Sequence, residues 1–301
     1  MACRFELVLH GDEPVRLRAA GEEALDEIDR LEAQLSIYRP SSEVSQLNAR
    51  AAAGPVRVEP RLFALLQHAH ALWALTDGAF DPTVGPLLRA WGFSETSGPR
   101  PSAIVLAEAR AQTGMEHVVL DAGRRTVAFA RPGVQLDLGG IGKGYALDEA
   151  ARLLREAGVT CALLHGGTST VVALGAPPDA EAWTVAVPRT PVVSSPEDVA
   201  AAVALRDEAL SVSAGWGKTV EVDGETYGHV LDPRSGHPVK GATLSAVVLP
   251  EAAAADAVST ALLVLGETSA SWVETLDLPV RVFVQGPVGT SLSPPVWLDT
   301  L

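Results

Sequence analysis

The chain has 301 residues, 47% hydrophobic and 20% charged, with a formal net charge of −14. That composition builds a globular core without cross-links. The acidity excludes a general affinity for nucleic acid or anionic membrane, which needs a basic face.

The opening stretch, MACRFELVLHGDEPVRL, is broken by Glu6, Asp12 and Glu13, so it holds neither a signal-peptide core nor a lipobox. No run approaches the ~20 apolar residues of a membrane span, and the expectation is a cytoplasmic chain. Alternation over Arg4 to Leu9 predicts a strand. GEEALDEIDRLEAQLSIY predicts a helix with Ala24, Leu25, Ile28, Leu31 and Leu35 on one face, ended by Pro40. SSEVSQLNAR reads as a short serine-capped helix, and PRLFALLQHAHALWALTDG as a longer one stopped by Gly78.

A turn-rich GAFDPTVGPLLRAWGF and a loop from Ser94 to Pro101 precede a helix around Ala103 to Gln112. Strands at Val118 to Asp121 and Thr126 to Ala130 then form a hairpin through Ala122, Gly123 and Arg124. After the glycine-rich LDLGGIGKGYALDEAARLL come strands at Cys161 to His165, near Val171, at Trp183 to Val187 and at Ala209 to Val212. Further strands are predicted at Thr219 to Val222, Tyr227 to Leu231, Thr243 to Leu249 and Val280 to Gln285. Helices are predicted at Ala254 to Leu265 and Ser269 to Leu276. Strands and helices mix without βα alternation, which predicts an α+β fold. Two cysteines, Cys3 and Cys161, match no metal spacing, and the seven histidines form no HxH or HExxH pattern.

Four stretches carry polar groups in patterns that suit chemistry. LDLGGIGKGYALD holds four glycines and Lys143, one of three lysines in the chain. It is not a Walker A loop, because Asp137 stands where the first glycine belongs and Gly144 where Ser or Thr belongs. It is not GxGxxG either, since Tyr145 or Leu147 falls at the last glycine position. Two readings stay open: a tight packing turn, or a turn whose amides and helix N-terminus face an anion. Asp137 beside it suits a sugar hydroxyl, a heterocycle N–H or a metal.

GAFDP presents Asp81 on a turn that Pro82 stiffens, and alone it is an ordinary Asp-Pro turn. In HVLDPRSGHPV, His229 stands at a strand end before a turn, as a structural residue or as a general base. In ADAVSTALLVLG, Asp256, Ser259 and Thr260 fall at i, i+3 and i+4, with their oxygens on one helix face. That spacing suits either a hard cation such as Mg²⁺ or an N-cap followed by small polar residues.

Taken in order, SIYRPSSEVSQLN, GAFDPTVGPLLRAWGF, LDLGGIGKGYALD, GHVLDPRSGHPV and ADAVSTALLVLG resemble the ApbE family of FAD:protein FMN transferases. The likeness runs from about Ser36 to Gly266. It implies a single α+β domain of the T-fold-related ApbE type over residues 1–301, with mixed sheets and packed helices. Two α+β lobes with the FAD site between them are the alternative arrangement. It implies that Tyr38, Ala79, Phe80, Asp81, Asp137, Lys143 and Leu231 contact FAD. It implies a Mg²⁺ site from Asp256, Thr260, the main-chain oxygen of Gly140 and Ser259, and a proton-transfer role for His229. The family's Met-Gly-Thr start is missing here, and Thr168 stands where an acid is usual.

The activity so implied is Mg²⁺-dependent transfer of FMN from FAD to a Ser or Thr hydroxyl of an acceptor protein, with release of AMP. Asp256 and His229 would be the catalytic residues. The alternatives are an FAD pyrophosphatase giving FMN and AMP, and a non-catalytic flavin-binding protein.

Overall fold

The computed structural model describes residues 3–93, 100–189, 195, 198–217, 219–240, 242–276 and 280–287, and the backbone of 296–299. β1 (Phe5–Leu9) leads into α1 (Pro14–Leu35). This helix begins at Pro14 rather than Gly21, because proline is tolerated in a first turn whose N–H groups have no partner in the helix. It stops at Leu35, short of Pro40. Ser36 turns extended, with φ −65° and ψ 125°, and its carbonyl accepts the Ser42 and Ser45 hydroxyls at 2.5 and 3.3 Å. Ser42 in turn caps α2 (Glu43–Arg50) through the Ser45 N–H.

β2 (Val56–Arg57) and α3 (Pro60–Leu75) follow, the helix capped by Glu59. The turn-rich stretch after Gly78 contains a helix, α4 (Gly85–Ala90). Most of the predicted Ser94 to Pro101 loop, residues 94–99, lies outside the described residues. α5 (Ala103–Ala111) is capped by Ser102. β3 (Val118–Asp121) and β4 (Thr126–Phe129) pair as predicted, but their turn extends to Arg125, at φ 54°.

α6 (Gly142–Glu156) begins inside the glycine turn. β5 (Ala162–Gly166), β6 (Thr170–Leu174), β7 (Trp183–Pro188), β8 (Val199–Leu205) and β9 (Ala209–Ala214) come next. The predicted strand Tyr227 to Leu231 is two elements. β10 (Thr219–Val222) pairs with β11 (Glu225–Gly228), whereas β12 (Leu231–Asp232) pairs with β13 (His237–Pro238). The break falls after Gly228, whose Cα lies so near the Gly215 carbonyl that a Cβ would stand 2.4 Å from it. β14 (Leu244–Leu249), α7 (Ala252–Leu265), α8 (Ser269–Val273), β15 (Arg281–Gln285) and β16 (Val296–Asp299) complete the order.

Seven strands form one antiparallel sheet in the order β1-β5-β6-β9-β14-β15-β16. Alternate side chains of one strand point to opposite faces. Leu164, Val172 and Ala209 thus meet α1 and α6 on one face. Leu163, Val171 and Leu210 meet the β7–β8 ribbon, with Trp183 and Val187, on the other. β14 is buried along its whole length, as a strand covered on both faces should be.

α7 is apolar nearly all round and lies buried between this sheet, α6 and α3. It joins the sheet to a second body of α2, α3 and the small β2-β4-β3 sheet. The result is one α+β domain of mixed sheets and packed helices.

Candidate active site

The glycine turn and α7 meet at Asp256. This carboxylate is only 2% exposed. Lys143 Nζ donates to its two oxygens at 3.2 and 3.3 Å, the Gly144 N–H donates at 3.2 Å, and Ser211 Oγ on β9 donates at 3.2 Å. A buried charge is tolerated when it is paired and hydrogen-bonded, and both conditions hold here.

Ser259 and Thr260 donate their hydroxyls back to the Asp256 carbonyl at 3.0 and 3.1 Å. Both also lie within bonding distance of Ser213 Oγ, at 2.8 and 3.3 Å. Gly140 comes close to the same point: a Cβ there would stand 3.4 Å from the Phe80 ring and 3.5 Å from Thr260 Oγ1.

Asp137 ties this cluster to the GAFDP turn. Its N–H donates to Pro82 O at 2.6 Å, and its carboxylate accepts the Gly139 N–H at 2.8 Å. The segment before it is clamped by Asn48 on α2, whose side-chain amide exchanges two bonds with Leu136, at 2.8 and 2.9 Å. Ala79 and Phe80 are buried in the core that α7 shares with α3. Asp81 is also buried, accepting Thr83 N–H and Oγ–H at 2.8 and 2.5 Å. Burial pushes its carboxyl up to about 6, against the lowering effect of the Thr83 bonds.

Asp81 borders a cleft of about 740 Å³ with Trp73, Arg110, Glu116 and Arg234. Arg234 belongs to the Asp232–Gly236 turn, so the HVLDPRSG stretch reaches the same cleft. Leu231 itself lies in a separate apolar cluster with Leu87, Trp91 and Tyr227. His229 is exposed between β11 and β12, and its ring edge lies 3.7 Å from where a Cβ on Gly217 would stand. Tyr38 is 73% exposed beside the α1–α2 junction.

Among the described residues, no group of three or more His, Cys, Asp or Glu is arranged to hold a metal ion. A cation at Asp256 would therefore meet one carboxylate plus hydroxyl and carbonyl oxygens. That donor set fits a hard ion that retains water and does not fit one needing nitrogen or sulfur.

The model of the ApbE family matches residues 1–283. The chain belongs to the ApbE family. A Klebsiella pneumoniae protein named FAD:protein FMN transferase is 33% identical over 262 residues, covering 85% of this chain and 73% of the relative. The Pseudomonas stutzeri flavinyl transferase ApbE in its apo form superposes with a TM-score of 0.81 at 31% identity, covering 98% of this chain and 90% of that one. The ApbE protein of Thermotoga maritima gives 0.82 at 26% identity, over 98% and 97%. Like these ApbE relatives, the chain is a transferase.

Several residues around this cluster carry no sequence signal. Ser211 and Ser213 sit on β9, more than forty residues from the α7 side chains they meet, and Thr170 on β6 meets Ser211 Oγ at 3.3 Å. Ser245 on β14 donates to the Ser259 carbonyl at 2.6 Å. Cys3 feels the charges of Lys143 and Asp256, but burial is the larger effect and pushes its thiol up. Asp148 on α6 accepts the first N–H groups of α7, at 2.9 and 2.8 Å, and burial pushes its carboxyl up to about 6. Of the two readings of the glycine turn, packing holds at Gly144, where a Cβ would stand 2.1 Å from the Ala252 carbonyl.

Proposed function

We propose that the chain transfers the FMN moiety of FAD to a Ser or Thr hydroxyl of an acceptor protein and releases AMP. The observation that carries this reading is the convergence of Asp256, Thr260, Gly140 and Lys143 on one point beside Asp137 and Phe80. ApbE membership supplies the flavin. FAD would lie along the seam between the glycine turn and the GAFDP turn, contacted by Tyr38, Ala79, Phe80, Asp81, Asp137, Lys143 and Leu231.

In the reaction, the acceptor oxygen forms a bond to the FMN-side phosphorus, the bond from that phosphorus to the AMP oxygen breaks, and the hydroxyl proton leaves to a base. Asp256, Thr260 and the Gly140 carbonyl, with Ser259 adjacent, would hold Mg²⁺, which would supply charge neutralisation on the pyrophosphate. Lys143 reaches Asp256 on a long, partly exposed side chain, so its ammonium can swing to the phosphates once another cation faces the carboxylate. His229, exposed and on a connecting segment, takes the proton, with an aspartate of the site as the alternative acceptor.

The test is incubation with FAD, Mg²⁺ and a protein carrying an exposed Thr-containing acceptor segment. Covalent flavin on the acceptor with stoichiometric AMP is expected. FMN and AMP free in solution would assign hydrolysis instead, and neither product would leave only flavin binding.

A further inference from the structure

α7 carries Asp256, yet its start is not capped by the residue that precedes it. Glu251, at the cap position, makes no side-chain bond to the helix. The first N–H groups of any helix lack partners within it. Here Ala252 and Ala253 donate theirs to the two oxygens of Asp148, at 2.9 and 2.8 Å, from the neighbouring helix α6. Leu147, Ala150 and Ala151, its neighbours along α6, are all buried, and Asp148 itself is largely so. Two backbone bonds and the positive end of the α7 dipole offset the cost of burying it.

A serine or aspartate at position 251 would cap α7 as well. It would not tie α7 to α6. One turn before Asp148 on α6, Gly144 touches the Ala252 carbonyl and donates its N–H to Asp256. One turn after Ala252 on α7 stands Asp256 itself. The two helices are thus joined at both ends of a short stretch, which fixes the rotation of α7 and its slide along α6. A slip of one residue would move Asp256 by about 1.5 Å along the axis and turn it about 100° away.

We propose that Asp148 is a positioning residue: it caps α7 from α6 and so sets the distance between Asp256 and the glycine turn. The proposal rests on the reading of Asp256 as the cation ligand. Asp148 itself touches neither cation nor flavin.

Mn²⁺ binding to the full chain, followed by electron paramagnetic resonance without FAD, tests it. Asp148→Asn should weaken Mn²⁺ binding about tenfold, as loss of a group supporting a metal ligand does, and Asp148→Ala should weaken it further. Leu31→Ala, in the same helix layer and fully buried, should lower Tm at least as much while leaving Kd within about twofold. Equal weakening by Leu31→Ala, or none by Asp148→Asn, overturns the role of Asp148 alone, provided Asp256→Ala abolishes binding. Unchanged binding in Asp256→Ala would overturn the cation site and this role with it. In the wild type, saturating Mn²⁺ should slow hydrogen exchange at the Ala252 and Ala253 amides. Exchange there that ignores Mn²⁺ overturns the coupling even if the Asp148 variants fail to fold.

Discussion

Two buried aspartates frame the site, and they are buried by different means. Asp256 is met by an ammonium and a backbone N–H from α6 and by a serine hydroxyl from β9. Asp81 accepts the Thr83 N–H and hydroxyl at 2.8 and 2.5 Å and also interacts with the Trp73 side chain. Among the described residues no cation faces it as Lys143 faces Asp256, and burial raises its carboxyl to about 6. The first arrangement keeps a negative charge available inside the protein. The second holds a carboxyl near its titration point at a cleft wall. A group that must attract a cation needs the former, and a group that contacts a neutral or hydrogen-bonding ligand tolerates the latter.

The sharpest way to break this comparison is Asp256→Ala. If the carboxylate recruits the cation, Mg²⁺-dependent flavin transfer should fall by on the order of 10³-fold or more. Covalent flavin formed per minute at saturating FAD measures it. Full activity in that variant would sink the metal assignment.

Gly144→Ala attacks the same region without touching a charge. The added Cβ would stand 2.1 Å from the Ala252 carbonyl, where only backbone can move. Overpacking of this kind costs about 3 kcal/mol, the upper end of its usual range, and the α6–α7 contact must open. Thermal unfolding should show the loss, and transfer activity should fall with it, because Lys143 and Asp256 sit across that contact. A variant as stable as wild type would mean that the turn tolerates a side chain.

Asp81→Asn probes the other aspartate through pH. The folded group titrates at about 6 against its ordinary 3.8, so the native state binds that proton more tightly than the unfolded chain does. The stability it contributes is full below pH 3.8 and is lost as the pH rises through 6. Asp148, also at about 6, adds to the same slope. Denaturant titrations at pH 4 and pH 7 should differ in the wild type, and Asp81→Asn should reduce that difference by about 2 kcal/mol. An unchanged difference would show that Asp81 titrates alike in both states.

The two regions also differ in how far they could be read without coordinates. Asp256, Ser259 and Thr260 share a helix face by spacing alone, and the helix itself is evident from its apolar run. The α+β class followed from mixed periodicities, and the Val118–Asp121 strand from its flanking turn. β8 escaped because Ala-rich Val199–Leu205 offers little contrast between its two faces. The break after Gly228 escaped because its cause is the carbonyl of Gly215 on another segment. Asn48, Asp148, Ser211 and Ser213 act through bonds to distant residues, and no local spacing encodes such a bond. What remained hidden is the tertiary support of the site, while the groups it supports stood within motifs.

The smallest expected effect sharpens the comparison at Thr83. Its hydroxyl donates to Asp81 at 2.5 Å and accepts the Gly114 N–H at 2.6 Å, so it relays the carboxylate to the backbone behind it. Thr83→Val keeps the shape, removes both bonds and leaves the Gly114 N–H without this acceptor. A loss of about 1 kcal/mol follows. The hydroxyl favours the ionised carboxyl, so its removal raises the Asp81 pKa further and the loss should be larger at pH 7 than at pH 4. An equal loss at both pH values would mean that the Thr83 hydroxyl supports the turn but not the charge, and the contrast between the two aspartates would then rest on burial alone.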